Sequence, residues 1–193
     1  PVLRAFDRWG NRIDEVDYDP AYHTVIAAAV AAGAHTSAWA DPGPGANVVR
    51  AATFFLFAQV EPGHACPVSM SHAAVPTLSV QPDLAATWVP RLLSRDYDPQ
   101  LGSGGKTSAL VGMAMTEKQG GSDVRANRTV AVPVDGGGPG TAYRLTGHKW
   151  FCSAPMSDAF CVLAQATGAG GEGLSCFLVP RVLPDGSRNA FLI

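Results

Sequence analysis

The chain has 193 residues, 47% hydrophobic and 16% charged, and its 14 Lys+Arg against 16 Asp+Glu leave a formal charge of −2. That length buries a real core, and so little charge excludes a disordered polyelectrolyte or a solvated tail. The slightly acidic balance supplies no global positive field for a phosphate backbone, so nucleic-acid binding would need a local patch.

The predicted elements fall into two halves. Pro20 opens a helix in which Tyr22, Val25, Ile26, Ala29 and Val30 follow the i, i+3, i+4, i+7, i+8 stripe. After the break Asp41-Pro42-Gly43-Pro44-Gly45, a second helix repeats it with Val48, Val49, Ala52, Phe55, Leu56 and Gln59. Pro67 opens a third through Met70, Ala73 and Ala74, which Pro76 is expected to end or kink. Pro82 opens a fourth through Leu84, Trp88, Leu92 and Leu93. A helical portion with its linker therefore occupies 1–107.

From Ser108 the texture is β-like. Short apolar or β-branched runs cover Ala109 to Met115, Arg128 to Val134, Tyr143 to Leu145, Lys149 to Ser153, Phe160 to Gln165 and Leu174 to Val179. Thr146-Gly147-His148 reads as a hairpin turn, Asp135 to Gly140 and Gly168 to Gly173 as Gly-rich spacers, and Pro184-Asp185-Gly186 as a further turn. Helices followed by strands predict α+β with segregated layers: an N-terminal helical layer, then an antiparallel β domain over 108–193.

Cys66, Cys152, Cys161 and Cys176 are too sparse for a disulfide scaffold and form no C-x-x-C pair, which reads as a reduced, cytoplasmic chain. The histidines are scattered without an H-E-x-x-H or a Cys/His cluster, so no metal site is expected. Ala51 to Val60 is too short to span a bilayer, and no signal-peptide pattern stands at the N-terminus, so no membrane partner is expected. A start at Pro1 and an apolar end at Phe191-Leu192-Ile193 read as those of a fragment.

Three motifs bear on chemistry. Gly102-Ser103-Gly104-Gly105-Lys106-Thr107 approaches a P-loop, but Gln100 stands where its first glycine belongs, and no strand precedes it; a flexible linker is the better reading. Met113-Ala-Met-Thr-Glu-Lys-Gln-Gly-Gly-Ser-Asp-Val124 runs an apolar strand into a glycine turn with hydroxyls at Thr116 and Ser122, suited to close approach of a ligand. From the residues alone, an ordinary turn between strands is the plainer reading. In Gly147-His-Lys-Trp-Phe-Cys-Ser153, Phe151 and Ser153 would share one strand face, an aromatic wall with a donor for a flat ring, or equally a sheet core. No G-x-S-x-G elbow supports a hydrolase.

The two later motifs, in this order, together with Leu174-Ser-Cys-Phe177 and Val179-Pro-Arg181, resemble the acyl-CoA dehydrogenase superfamily in the wording of its AidB-type branch. That branch is linked to the adaptive response to DNA alkylation. The likeness is specific from Gly112 to about Asn189; before it only the helical character agrees. It implies FAD enzymes with an N-terminal helical domain, a middle β domain and a C-terminal helical domain missing here, assembled as homotetramers. It implies that Met113, Met115 and Thr116 lie along the flavin ring, that Gly121 and Ser122 approach the diphosphate, with Ser122 also at the substrate mouth, and that Phe151, Cys152 and Ser153 lie against the isoalloxazine. Lys118 departs from the proline common after Thr-Glu, which fits the AidB-type branch and argues against ordinary fatty-acyl substrates. The implied reaction is α,β-dehydrogenation of an acyl-CoA thioester. Its base belongs to the missing domain, so no catalytic residue is assigned, Glu117 is read as a turn carboxylate, and the isolated chain is expected to be inactive. The alternative is a flavoprotein that protects duplex DNA by association, with weak dehydrogenase activity; its DNA surface is expected outside this segment.

Overall fold

The computed structural model describes residues 1–101, 105–168 and 172–193. Part of the 102–107 linker reading, at 102–104, and part of the Gly168–Gly173 spacer, at 169–171, lie outside the described residues. The chain opens on strands, not on a helix. β1 (Val2–Phe6) and β2 (Arg12–Asp17) pair antiparallel. Their turn is fixed by Asp7, whose carboxylate accepts from the Trp9 and Asn11 N–H groups, both at 2.8 Å. The sequence reading missed this hairpin because its charged residues, Arg4 against Glu15 and Asp17, obscure the alternation.

Five α-helices follow among the described residues. α1 (Pro20–Ala31) starts behind Asp19, whose side chain caps Ala21 N–H at 2.8 Å. A short α2 (Ser37–Ala40) leads to α3 (Ala46–Val60), then α4 (Ala65–Ser79) and α5 (Pro82–Leu92). Against expectation, α4 runs through Pro76. Pro76 leaves the His72 carbonyl without its intrahelical donor, and the Trp39 indole N–H donates to that oxygen at 3.1 Å. The α3 helix is as expected, but its apolar stripe is not a buried one. Val48, Val49, Phe55 and Leu56 are exposed, while Phe54 and Phe57 face the core of Ile26, Ala29, Val30 and Val68.

The second half is a five-stranded sheet. β6 (Ala159–Ala166) is its spine, buried almost throughout. β7 (Gly173–Pro180) pairs antiparallel along the whole of one edge of β6. The other edge is shared end to end: β3 (Val111–Ala114) pairs with Ala159 to Val162, and β4 (Val130–Pro133) with Gln165 and Ala166. Both of these pairings are parallel, so the sheet is mixed where an antiparallel one was expected. The chain between β3 and β6 is long enough for the crossover that parallel pairing demands. β5 (Tyr143–Thr146) pairs antiparallel with β4, so the hairpin turn lies in the Asp135–Gly140 spacer and not at Thr146-Gly147-His148.

The α4–α5 pair covers one sheet face through Ala74, Val75, Leu78 and Leu92 against Val111, Ala159 and Cys161. The opposite face carries Ala114, Phe160 and Val162. Helix layer and sheet are also joined by a polar bond, since the Ser71 hydroxyl accepts from Val111 N–H at 3.0 Å. Gly112 must be glycine here: a Cβ would stand 2.4 Å from Cε1 of the fully buried Phe160 ring, its register partner. No helix of the described residues is long and apolar enough to cross a membrane.

Candidate functional site

The two motif segments meet beyond the C-terminal end of β3. The Trp150 N–H donates to the Thr116 carbonyl at 2.9 Å, which sets the 147–153 segment beside the glycine turn. That turn closes through Gly120 N–H to the Glu117 carbonyl at 3.0 Å, and Gly120 adopts φ 125°, open to glycine. Gly121 is required by its neighbour, because a Cβ there would stand 2.7 Å from the Thr116 hydroxyl oxygen. The Asn127 amide donates to the Met115 carbonyl at 2.7 Å and accepts from Gln119, tying down the far side of the turn.

A buried ion pair holds the two segments together. Glu117 is 5% exposed and accepts from Arg128 N–H (2.7 Å), Thr129 N–H (3.0 Å), the Thr129 hydroxyl (2.6 Å) and Lys149 Nζ (2.9 Å). Burial by itself would push this carboxyl up; the bonds from Arg128, Thr129 and Lys149 outweigh it and hold the carboxyl at about 2. Glu117 is thus a permanent anion with its lone pairs occupied, a poor proton acceptor and a good clamp. It stands at the start of the turn, as expected, but its side chain ties two other segments together, and the sequence signal that could have found the clamp is Lys149 in Gly-His-Lys.

Lys149 to Ser153 is not a strand. Phe151 has φ 57° and Ala154 φ 54°, left-handed values that cost non-glycine residues on the order of 1 kcal/mol each. The twist turns alternate side chains apart: Cys152 packs onto Ala114, Phe160 and Val162, where burial raises its thiol pKa, while Phe151 stands 83% exposed. Ser153 is half-buried, and its N–H closes on the Phe151 carbonyl at 3.0 Å. Trp150 flanks Phe151 edge-on with ring centroids 6.0 Å apart, and Lys118 Nζ stands 5.6 Å from the Trp150 ring. The base of the segment is fixed by the buried Arg181 guanidinium, which donates to the Pro155 and Asp14 carbonyls.

Thr116 thus stands against Gly121 and, through its carbonyl, against the Trp150 backbone, and the chain neighbours Met115 and Phe151 are exposed with Ser153 half-buried, which leaves an exposed ledge where the two segments meet. Ser122 lies exposed at the far end of the turn, and Met113 is half-buried against the α4–α5 cluster. The ledge offers an apolar wall, hydroxyls and glycine-bared backbone, a donor set that fits a flat ring with polar edges. Lys106 has no part in such a site. Its ammonium is consumed by the Asp98 and Gln100 carbonyls (2.8 and 2.7 Å) and by Asp158 (2.6 Å). Among the described residues no group of three or more His, Cys, Asp or Glu side chains could hold a metal ion.

Comparison with known proteins matches two separate stretches of the chain. Residues 1–99 match the description "Adaptive response protein AidB N-terminal domain", and residues 112–190 match "Acyl-CoA dehydrogenase, middle domain". The chain is similar to AidB of Escherichia coli (strain K12), 50% identical over 193 residues, covering 98% of this chain and 34% of that protein. It is similar in structure to Caenorhabditis elegans ACDH-11 in complex with C11-CoA: TM-score 0.79, 31% identity, 97% of this chain and 32% of that one. An acyl-CoA dehydrogenase complexed with FAD from Bacillus anthracis shares the fold, with TM-score 0.60, 22% identity and coverage of 83% and 25%. The chain thus spans about a third of the length of the curated relatives it matches most fully.

Proposed function

Because the chain belongs to the acyl-CoA dehydrogenase family, as an AidB-type N-terminal domain followed by the family's middle domain, we propose that it is the flavin- and substrate-facing part of an FAD-dependent oxidoreductase. The full-length protein would remove hydrogen across the α,β bond of an acyl-CoA thioester. The observation that carries this reading is Phe151, a large apolar ring held 83% exposed on a left-handed backbone next to Trp150, whose N–H bonds the Thr116 carbonyl. The strained backbone sets this bare ring where a flat ligand could cover it.

Phe151 and Met115 would form the apolar wall against the isoalloxazine, with the Cys152 backbone between them. The Thr116 and Ser153 hydroxyls would bond its polar edge, and Ser122 with the Gly121 backbone would approach the diphosphate and the substrate mouth. Met113, behind the strand end, would support the wall from the helix side. When bound, FAD supplies the acceptor for the substrate's hydride. The work of this chain is to position that acceptor, exclude water from one of its faces and keep the ledge rigid through the Glu117–Lys149 clamp. Proton abstraction is assigned to no residue here, since the four donors on Glu117 occupy its lone pairs and leave it a poor proton acceptor.

The test is Thr116→Val combined with Ser153→Ala in the full-length protein, with the flavin-to-protein ratio read from visible absorbance after dialysis. Loss of two edge hydrogen bonds is expected to weaken flavin retention by about tenfold or more. Unchanged retention would overturn the site assignment.

A further inference from the structure

A cavity of about 560 Å³ lies between β2, the start of α1, the 97–101 segment and the stretch from Ala154 to Asp158 that leads into β6. Its size is that of a small-molecule site. Four rings line it in an unbroken chain. Tyr18 stacks on Tyr22 with centroids 4.3 Å apart, Tyr22 meets His23 at 5.5 Å, and His23 stacks on Tyr97 at 5.9 Å, where its Nδ1 shares a 2.8 Å hydrogen bond with the Tyr97 hydroxyl.

The charges around the cavity do not cancel. Arg4 is matched by Glu15 and Asp17 at 3.0 and 2.6 Å, Arg188 by Glu15, and Asp158 by Lys106 at 2.6 Å. These pairings leave no free cation on the described wall for a phosphate or a carboxylate. Asp98 is different: among the described residues its carboxylate accepts only from the Gln100 N–H, at 2.9 Å. Ser157, another lining residue and 4% exposed, has a buried hydroxyl with no partner among the described residues. A buried polar group left unmatched in a lined cavity points to a ligand that matches it.

Aromatic faces carry negative charge density, and a lone carboxylate beside several of them attracts a weakly hydrated cation. We propose that this cavity binds a small organic cation, an ammonium bearing alkyl or aryl substituents, with Asp98 as its counter-charge and Tyr18, Tyr22 and Tyr97 as its ring walls. An acyl chain would leave Asp98 unmatched, and an anion would meet an uncompensated carboxylate. The proposal stands independently of the flavin reading.

The experiment is isothermal titration of the full-length protein with choline and benzyltrimethylammonium at low salt, beside 3,3-dimethyl-1-butanol, the neutral isostere of choline. Both cations are expected to bind saturably, and the isostere about tenfold more weakly or worse. Asp98→Asn keeps the acceptor for Gln100 N–H and should weaken the cations by about tenfold while leaving the isostere unchanged. Unaltered flavin absorbance and melting temperature in that variant show that the fold and the Phe151 ledge are intact. Absence of saturable cation binding, an isostere that binds equally well, or cation affinity untouched by Asp98→Asn overturns the proposal.

Discussion

Replacing Glu117 by glutamine keeps the side-chain volume and removes the charge on which the two site segments converge. In the native state Lys149 is almost wholly buried against that carboxylate at 2.9 Å. Glutamine would leave the ammonium without a counter-ion and would weaken the bonds from Thr129 and Arg128. Breaking a buried pair by removing one partner costs about 3–5 kcal/mol. The lowered acidity points the same way: holding the carboxyl at about 2, where an unperturbed glutamate sits at 4.5, is worth about 3 kcal/mol. The sign follows from the lowered folded value. This stabilisation is complete above about pH 4.5 and is lost as the pH falls from there toward 2. Thermal unfolding at pH 7 should show Glu117→Gln melting about 6–12 °C below the parent. The gap should close as both are acidified below pH 4.5, and Glu117→Gln with Lys149→Met should recover part of the loss. A single variant within about 0.5 kcal/mol of the parent at pH 7, or a gap that does not narrow in acid, would refute the clamp.

Gly112→Ala should cost about 1–3 kcal/mol in urea unfolding, because the added methyl meets the buried Phe160 ring at 2.4 Å; pairing it with Phe160→Leu should restore much of that. Lys106→Met should destabilise by about 3 kcal/mol or more through the stranded Asp158 carboxylate, with no change in nucleotide affinity; a nucleotide effect would revive the P-loop reading. Phe151→Ala should leave the melting temperature of the flavin-free protein nearly unchanged, since the ring is exposed, while lowering flavin retention; a large loss of stability without flavin would mean that Phe151 is structural.

The helices were legible because proline starts and a 3.6-residue period are local signals, as at Pro20 and Pro82. What covers a helix is not local. The α3 stripe was readable, yet Phe54 and Phe57, not Phe55 and Leu56, face the core within this chain. The passage of α4 through Pro76 depends on Trp39, far away in sequence, meeting the orphaned His72 carbonyl. Parallel pairing of β3 and β4 on one edge of β6 is likewise a property of long-range register, invisible to strand-by-strand reading. At the site, motif order marked Thr116, Gly121 and Phe151, but aromatic composition disguised a left-handed turn as a strand. The Glu117 clamp joins residues 12 and 32 positions apart, and no spacing rule relates them.

The most direct test of the central claim is the visible absorbance spectrum of the full-length protein as purified, repeated anaerobically after addition of acyl-CoA thioesters from short branched to medium straight chains. A bound oxidised flavin is expected, with absorbance that bleaches with at least one of them. A protein that carries no flavin, and takes up none when FAD is supplied, would contradict the claim.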